Sequence, residues 1–162
     1  MEMEINVNYI FALAVGIGFV AGLRSLTAPA AVSWAAHLGF LHLQHSPLAF
    51  MGSTAAVAIL TLLAAGEYVG DLLPKTPRRT APGPLIARAV TGGLSGACLF
   101  ISGNQSLLIG VLLGAVGAVM GAFAGYEARK RLVSGLKVKD AVIAIPEDLV
   151  AICLAYFLVF RR

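Results

Sequence analysis

Five long apolar stretches alternate with short polar or basic connections along the chain, over about residues 8–38, 46–73, 84–102, 106–132 and 141–160. A helix that crosses a bilayer needs roughly 20 mainly apolar residues. The pattern therefore predicts an all-α polytopic membrane protein with about five transmembrane helices, four to six at the limits, in a single transmembrane domain over residues 1–162. The first stretch is long for one crossing and is interrupted at Arg24-Ser-Leu-Thr-Ala-Pro29. Pro29 removes a backbone donor and clashes with the preceding turn, so a kink or an unwound segment is expected there. Splitting this stretch at Arg24 gives a six-crossing alternative with two short halves.

The connections carry their own signals. Leu73-Pro-Lys-Thr-Pro-Arg-Arg-Thr-Ala-Pro-Gly-Pro84 holds four prolines and three basic residues, a composition that ends a helix and favours extended backbone. The first apolar stretch invites comparison with a secretory leader, but its leading Met-Glu-Met-Glu is acidic and further apolar stretches follow. It reads as a retained first helix.

Small residues recur at helical spacing. Gly110, Gly114, Gly117, Gly121 and Gly125 step along one helix face, with Gly92, Gly93 and Gly96, and Gly66 and Gly70, on others. In lipid such faces let backbones approach closely, within one chain or across a homodimer. Gly16-Ile-Gly18-Phe-Val-Ala21 matches a dinucleotide-binding string, but no strand precedes it and no βαβ unit fits around it. Helix packing accounts for it.

Composition strengthens the membrane reading: 59% of the 162 residues are hydrophobic and 12% charged, with a mean hydropathy of +0.87. No soluble catalytic domain fits beside the helices. The net charge of +4 gathers in two connections and at the C-terminus. Lys75, Arg78, Arg79, Arg129, Lys130 and Arg131 read as topology determinants that meet lipid headgroups, and nucleic-acid binding is not expected without an interleaved aromatic platform. In a five-crossing chain these basic connections share a face with the N-terminus, which the positive-inside rule makes cytoplasmic. Cys98 and Cys153 stand alone, without metal-ligand spacing.

The remaining charges are the candidate chemistry. Arg24 lies about 16 residues into its helix, too deep for easy snorkelling if that helix crosses directly, so it should face protein. Two readings stand: a substrate or anion contact beside the polar Ser25 and Thr27, or a structural ion pair with Glu67, Asp71, Glu147 or Asp148. Glu67 and Asp71 are one turn apart and share a face, with Glu67 the deeper candidate for proton or cation exchange. Pro146-Glu147-Asp148 fits an ordinary helix N-terminus, but a helix starting there is short for a crossing, which points to a broken helix with buried carboxylates. His37, His42 and His45 fit a polar turn, and no metal or cofactor is expected. Val20-Ala-Gly-Leu-Arg24 echoes Phe123-Ala-Gly-Tyr-Glu127. With an acidic pair following each, this points to inverted repeat halves, 8–73 and 106–160, around a linker helix, 84–102.

Gly22-Leu-Arg-Ser-Leu-Thr-Ala-Pro29, Asp71-Leu-Leu-Pro-Lys-Thr-Pro-Arg-Arg-Thr80 with Pro82-Gly-Pro84, and Gly125-Tyr-Glu-Ala-Arg129 followed by Glu147-Asp148 together resemble the small bacterial membrane proteins grouped as domain of unknown function 4126. That resemblance covers most of the chain and implies a multi-pass protein of the bacterial inner membrane, without naming an activity. The expected function is a small transporter or channel for an ion or small solute, with proton coupling as one option, and with Arg24, Ser25, Thr27, Glu67, Asp71, Glu147 and Asp148 at a midplane site. The alternatives are a membrane enzyme acting on a lipid or isoprenoid phosphate, and a structural scaffold. The expected partners are membrane lipids, a small ion or solute, and a second copy of the chain through its small-residue faces.

Overall fold

A computed structural model describes residues 7–71, 80–136 and 140–160. Among these residues the chain forms six α-helices and one 3-10 turn, and no strand. The helices are α1 (Val7–Leu23), α2 (Thr27–His37), α3 (Thr54–Asp71), α4 (Pro82–Ser102), α5 (Leu107–Leu136) and α6 (Asp140–Phe160), with the 3-10 turn at Ala49–Gly52. Three of them, α4, α5 and α6 from Val142, are long and apolar enough to cross a membrane. The apolar helices α1 and α3 are somewhat shorter.

Local sequence sets the ends. Ala81 is extended and Pro82 opens α4, where a missing N–H costs no helical bond. At its other end Gly103 donates to Leu99 and Phe100, and Asn104 takes a left-handed φ of 57°, turning the chain into α5. Pro146 lies inside α6. The helix thus begins at Asp140 instead of at the proline, and Glu147 and Asp148 sit in its interior.

The first apolar stretch is not one kinked helix. Its break falls at Arg24–Leu26, ahead of Pro29, which sits in the first turn of α2 where proline is tolerated. Contacts at the two ends give the chain direction. Near the start of α1, Phe11 meets Phe100 edge-on at 5.2 Å between centroids; at its end, the carbonyls of Gly22 and Leu23 accept from Arg88. Hence α1 and α4 are antiparallel. The His42 backbone then donates to Ser102 Oγ at 3.1 Å, and Phe40 meets Phe160 at 5.3 Å. The chain has returned to the end where α1 began.

Residues 24–26 are therefore a turn between antiparallel helices. Eleven residues make α2 only about 16 Å long, and the following segment, with Leu41 and Leu43 buried, completes the return. The helices alternate in direction through all six. The start of α1 consequently lies at the opposite end of the bundle from Arg88 and Arg129, whereas the sequence reading placed the N-terminus with the basic connections. The difference arises because the sequence reading joined α1 and the short return through α2 into one crossing.

The core is a triad of α1, α4 and α5 whose backbones nearly touch. A Cβ added at Gly18 would lie 2.1 Å from the Gly114 carbonyl oxygen, one at Gly114 2.1 Å from that of Gly92, and one at Gly96 2.4 Å from that of Gly110. The glycine face of α5 is thus consumed inside the chain. Gly18 of the dinucleotide-like string is one of these packing residues. Gly18 opposite Gly114 and Gly22 opposite Gly121 also make α1 and α5 parallel. The two segments that echo each other are not inverted, and α4 is a central member of the bundle instead of a linker between halves.

Candidate functional site

The turn between α1 and α2 leaves the last carbonyls of one helix and the first amides of the next without helical partners. Two charged side chains from other helices meet them. On α4, the Arg88 guanidinium donates from Nη1 to the carbonyls of Gly22 and Leu23 at 3.0 and 3.2 Å. On α3, the Glu67 carboxylate accepts from the Ser25 amide and hydroxyl, both at 2.8 Å, and from the Leu26 amide at 2.9 Å. Positive charge at a helix C-terminus and negative charge at an N-terminus are both favoured by the helix dipole. Glu67 and Arg88 also face each other at 3.9 Å, so the two caps form one charged unit.

Arg24 occupies the turn itself and is fully buried. Its Nε and Nη2 both contact Oδ1 of Asp148 on α6, and its guanidinium lies 5.5 Å from the ring centre of Tyr68 on α3, within cation–π reach. The Tyr68 hydroxyl shares a 2.6 Å hydrogen bond with Thr27 Oγ1. One turn-forming arginine therefore ties α1 and α2 to α3 and α6. Beside it on α6, Glu147 faces Arg129 of α5 at 3.6 Å. Successive residues on a helix point about 100° apart, so neighbouring carboxylates reach different helices.

Three arginines, Arg24, Arg88 and Arg129, thus interleave with three carboxylates, Glu67, Glu147 and Asp148. Each carboxylate faces an arginine instead of another carboxylate. Arg24 follows the end of α1, while Arg88 lies two turns into α4 and Glu147 and Asp148 sit in the interior of α6. Comparison of the chain with protein-family models, with curated proteins and with solved structures finds no match. The cluster is therefore interpreted on its own geometry.

Of the residues singled out in the sequence, Arg24, Ser25, Thr27, Glu67 and Asp148 come together, and Glu147 lies in the adjoining pair. The Asp71 side chain, Lys75, Arg78 and Arg79 lie outside the described residues. Arg129, expected at headgroups, faces Glu147 at 3.6 Å. Lys130 is exposed, and exposed Arg131 pairs with Glu127 one turn earlier at 2.8 Å. His37 donates to the Gly52 carbonyl at 2.9 Å, and among the described residues no three His, Cys, Asp or Glu side chains gather as metal ligands would. Sequence reasoning missed Arg88 and Tyr68 as site members. Arg88 carried a usable signal, a charge inside an otherwise apolar helix; Tyr68 carried none beyond its place next to Glu67.

Proposed function

We propose that this chain is a small multi-pass membrane transporter or channel for an ion or small solute, in which the Arg24–Asp148 pair is the element that exchanges. The observation that carries this reading is a fully buried arginine in an inter-helix turn, held by a carboxylate from α6. Taking two charges out of water costs more than packing apolar residues of similar volume, so stability alone does not account for such a pair in apolar helices. Protonation or cation binding at Asp148 would weaken its hold on Arg24 and free α6 from the turn. The reading takes α4, α5 and α6, together with the shorter apolar helices α1 and α3, as the helices that cross the bilayer, with α2 and the segment after it as a return. With the basic connections cytoplasmic, the start of α1 faces outward. The resemblance to the domain of unknown function 4126 proteins supports a bacterial inner membrane as the setting.

The test is flux in proteoliposomes under an imposed pH gradient, across a panel of ions and small metabolites. Wild-type protein is expected to move at least one solute, and Asp148→Asn to abolish its dependence on the proton gradient. Absence of flux across the panel, from protein shown to be folded, sinks the proposal. A structural scaffold is the second reading, favoured by the caps that Glu67 and Arg88 place on the two helix ends. It expects Asp148→Asn to alter stability and nothing else.

A further inference from the structure

A second feature lies beside the charged turn and does not depend on transport. Helices α1, α5 and α6 enclose a groove of about 540 Å³, a volume within the ordinary range for small-molecule sites. Its walls are apolar, formed by Phe19 of α1, Leu132 of α5, and Ile143 and Val150 of α6 among others. Its polar members are Arg129 and Glu147, which also line it. The two stand 3.6 Å apart, with side chains 14% and 13% exposed. An apolar slot thus carries one positive and one negative group on helices that otherwise face lipid.

We propose that this groove is a binding site for a phospholipid with a zwitterionic, primary-ammonium headgroup, of the phosphatidylethanolamine class. The chemistry follows from the pair. A guanidinium matches a phosphate with two parallel donors, and a carboxylate beside it matches an ammonium that donates hydrogen bonds. The acyl chain fills the slot between Phe19 and Val150. A purely anionic headgroup gains Arg129 but meets repulsion from Glu147. A choline headgroup has no N–H to donate to that carboxylate. The sign pattern of the lining, one charge of each kind, therefore selects against both.

The test is native mass spectrometry of the purified full chain, equilibrated with an equimolar mixture of phosphatidylethanolamine, phosphatidylcholine and phosphatidylglycerol. Phosphatidylethanolamine should be retained over each of the others by about threefold, the scale of a partly exposed ion pair. Glu147→Gln should remove the preference over phosphatidylcholine, and Arg129→Gln should lower retention of all three lipids. Val150→Trp, which fills the slot and leaves the pair in place, should also lower retention of all three, so the proposal stays testable if a charge variant does not fold. Preferential retention of phosphatidylglycerol by the wild-type protein overturns the proposal. So does a lipid profile that Val150→Trp leaves unchanged.

Discussion

The triad of α1, α4 and α5 and the helix α3 solve the same problem in opposite ways. In lipid, helices gain nothing from hiding apolar surface from one another, so association needs close van der Waals packing or polar contacts. The triad uses the first: glycines on all three helices bring backbones so near that an added methyl group would overlap a carbonyl. Helix α3 uses the second. Only Val57 and Ala64 of α3 are buried in the apolar core, and a Cβ added at its Gly66 or Gly70 would meet nothing within 4 Å. What fixes α3 is Glu67 in the turn amides, with Tyr68 against Thr27 and Arg24. A glycine seam has one good fit and resists sliding, while ion pairs can be released by a proton or an ion.

Four single variants and one double variant would break or sharpen this contrast. Arg24→Met leaves the Asp148 carboxylate without its buried partner and is expected to lower stability by about 3–5 kcal/mol, read from thermal unfolding in detergent. The double variant Arg24→Met with Asp148→Leu should recover most of that loss; a double variant as unstable as the single one would mean that the pair does not couple α6 to the turn. In the triad, Gly114→Ala sets a methyl group into the Gly92 carbonyl and should cost about 1–3 kcal/mol. Little change in melting temperature would show that the seam can open.

Glu67→Gln keeps one carbonyl oxygen but loses the charge at the start of α2, a loss of about 1 kcal/mol. Hydrogen exchange at the Ser25 and Leu26 amides should quicken, and unchanged rates there would argue against Glu67 as the cap. Smallest is Gly66→Ala, which meets open space and should stabilise α3 by about 0.5–1 kcal/mol through helix propensity alone. A loss on that substitution would reveal a partner packed against α3.

Much of the arrangement was legible beforehand, for physical reasons that differ from residue to residue. The glycine face of α5 could be seen because a spacing of three or four residues has one geometric meaning on a helix. Arg24 stood out because a charge in an apolar helix must find a partner. That the partner would be Asp148, with Glu67 taken instead by backbone amides, was not visible. Four carboxylates offered equal chemistry, and only the antiparallel course of α1 and α2 aligns them. The pairing of Arg129 with Glu147 was not visible for a related reason: Arg129 sits in a run of basic residues, and a run of like charges hides which member meets a carboxylate.

The sequence by itself determined that this is a helical chain with membrane-length apolar segments, that its small residues form packing faces, and that Arg24 needs a partner within the protein. These are properties of composition and periodicity, which each segment carries alone. Only the tertiary structure decided that the first segment doubles back at Arg24, that α1 and α5 run parallel, and that Arg24, Arg88 and Arg129 each face a carboxylate from another helix. Those depend on the sense in which short segments return and on which faces meet across long sequence separations. Neither hydropathy nor spacing records chain direction.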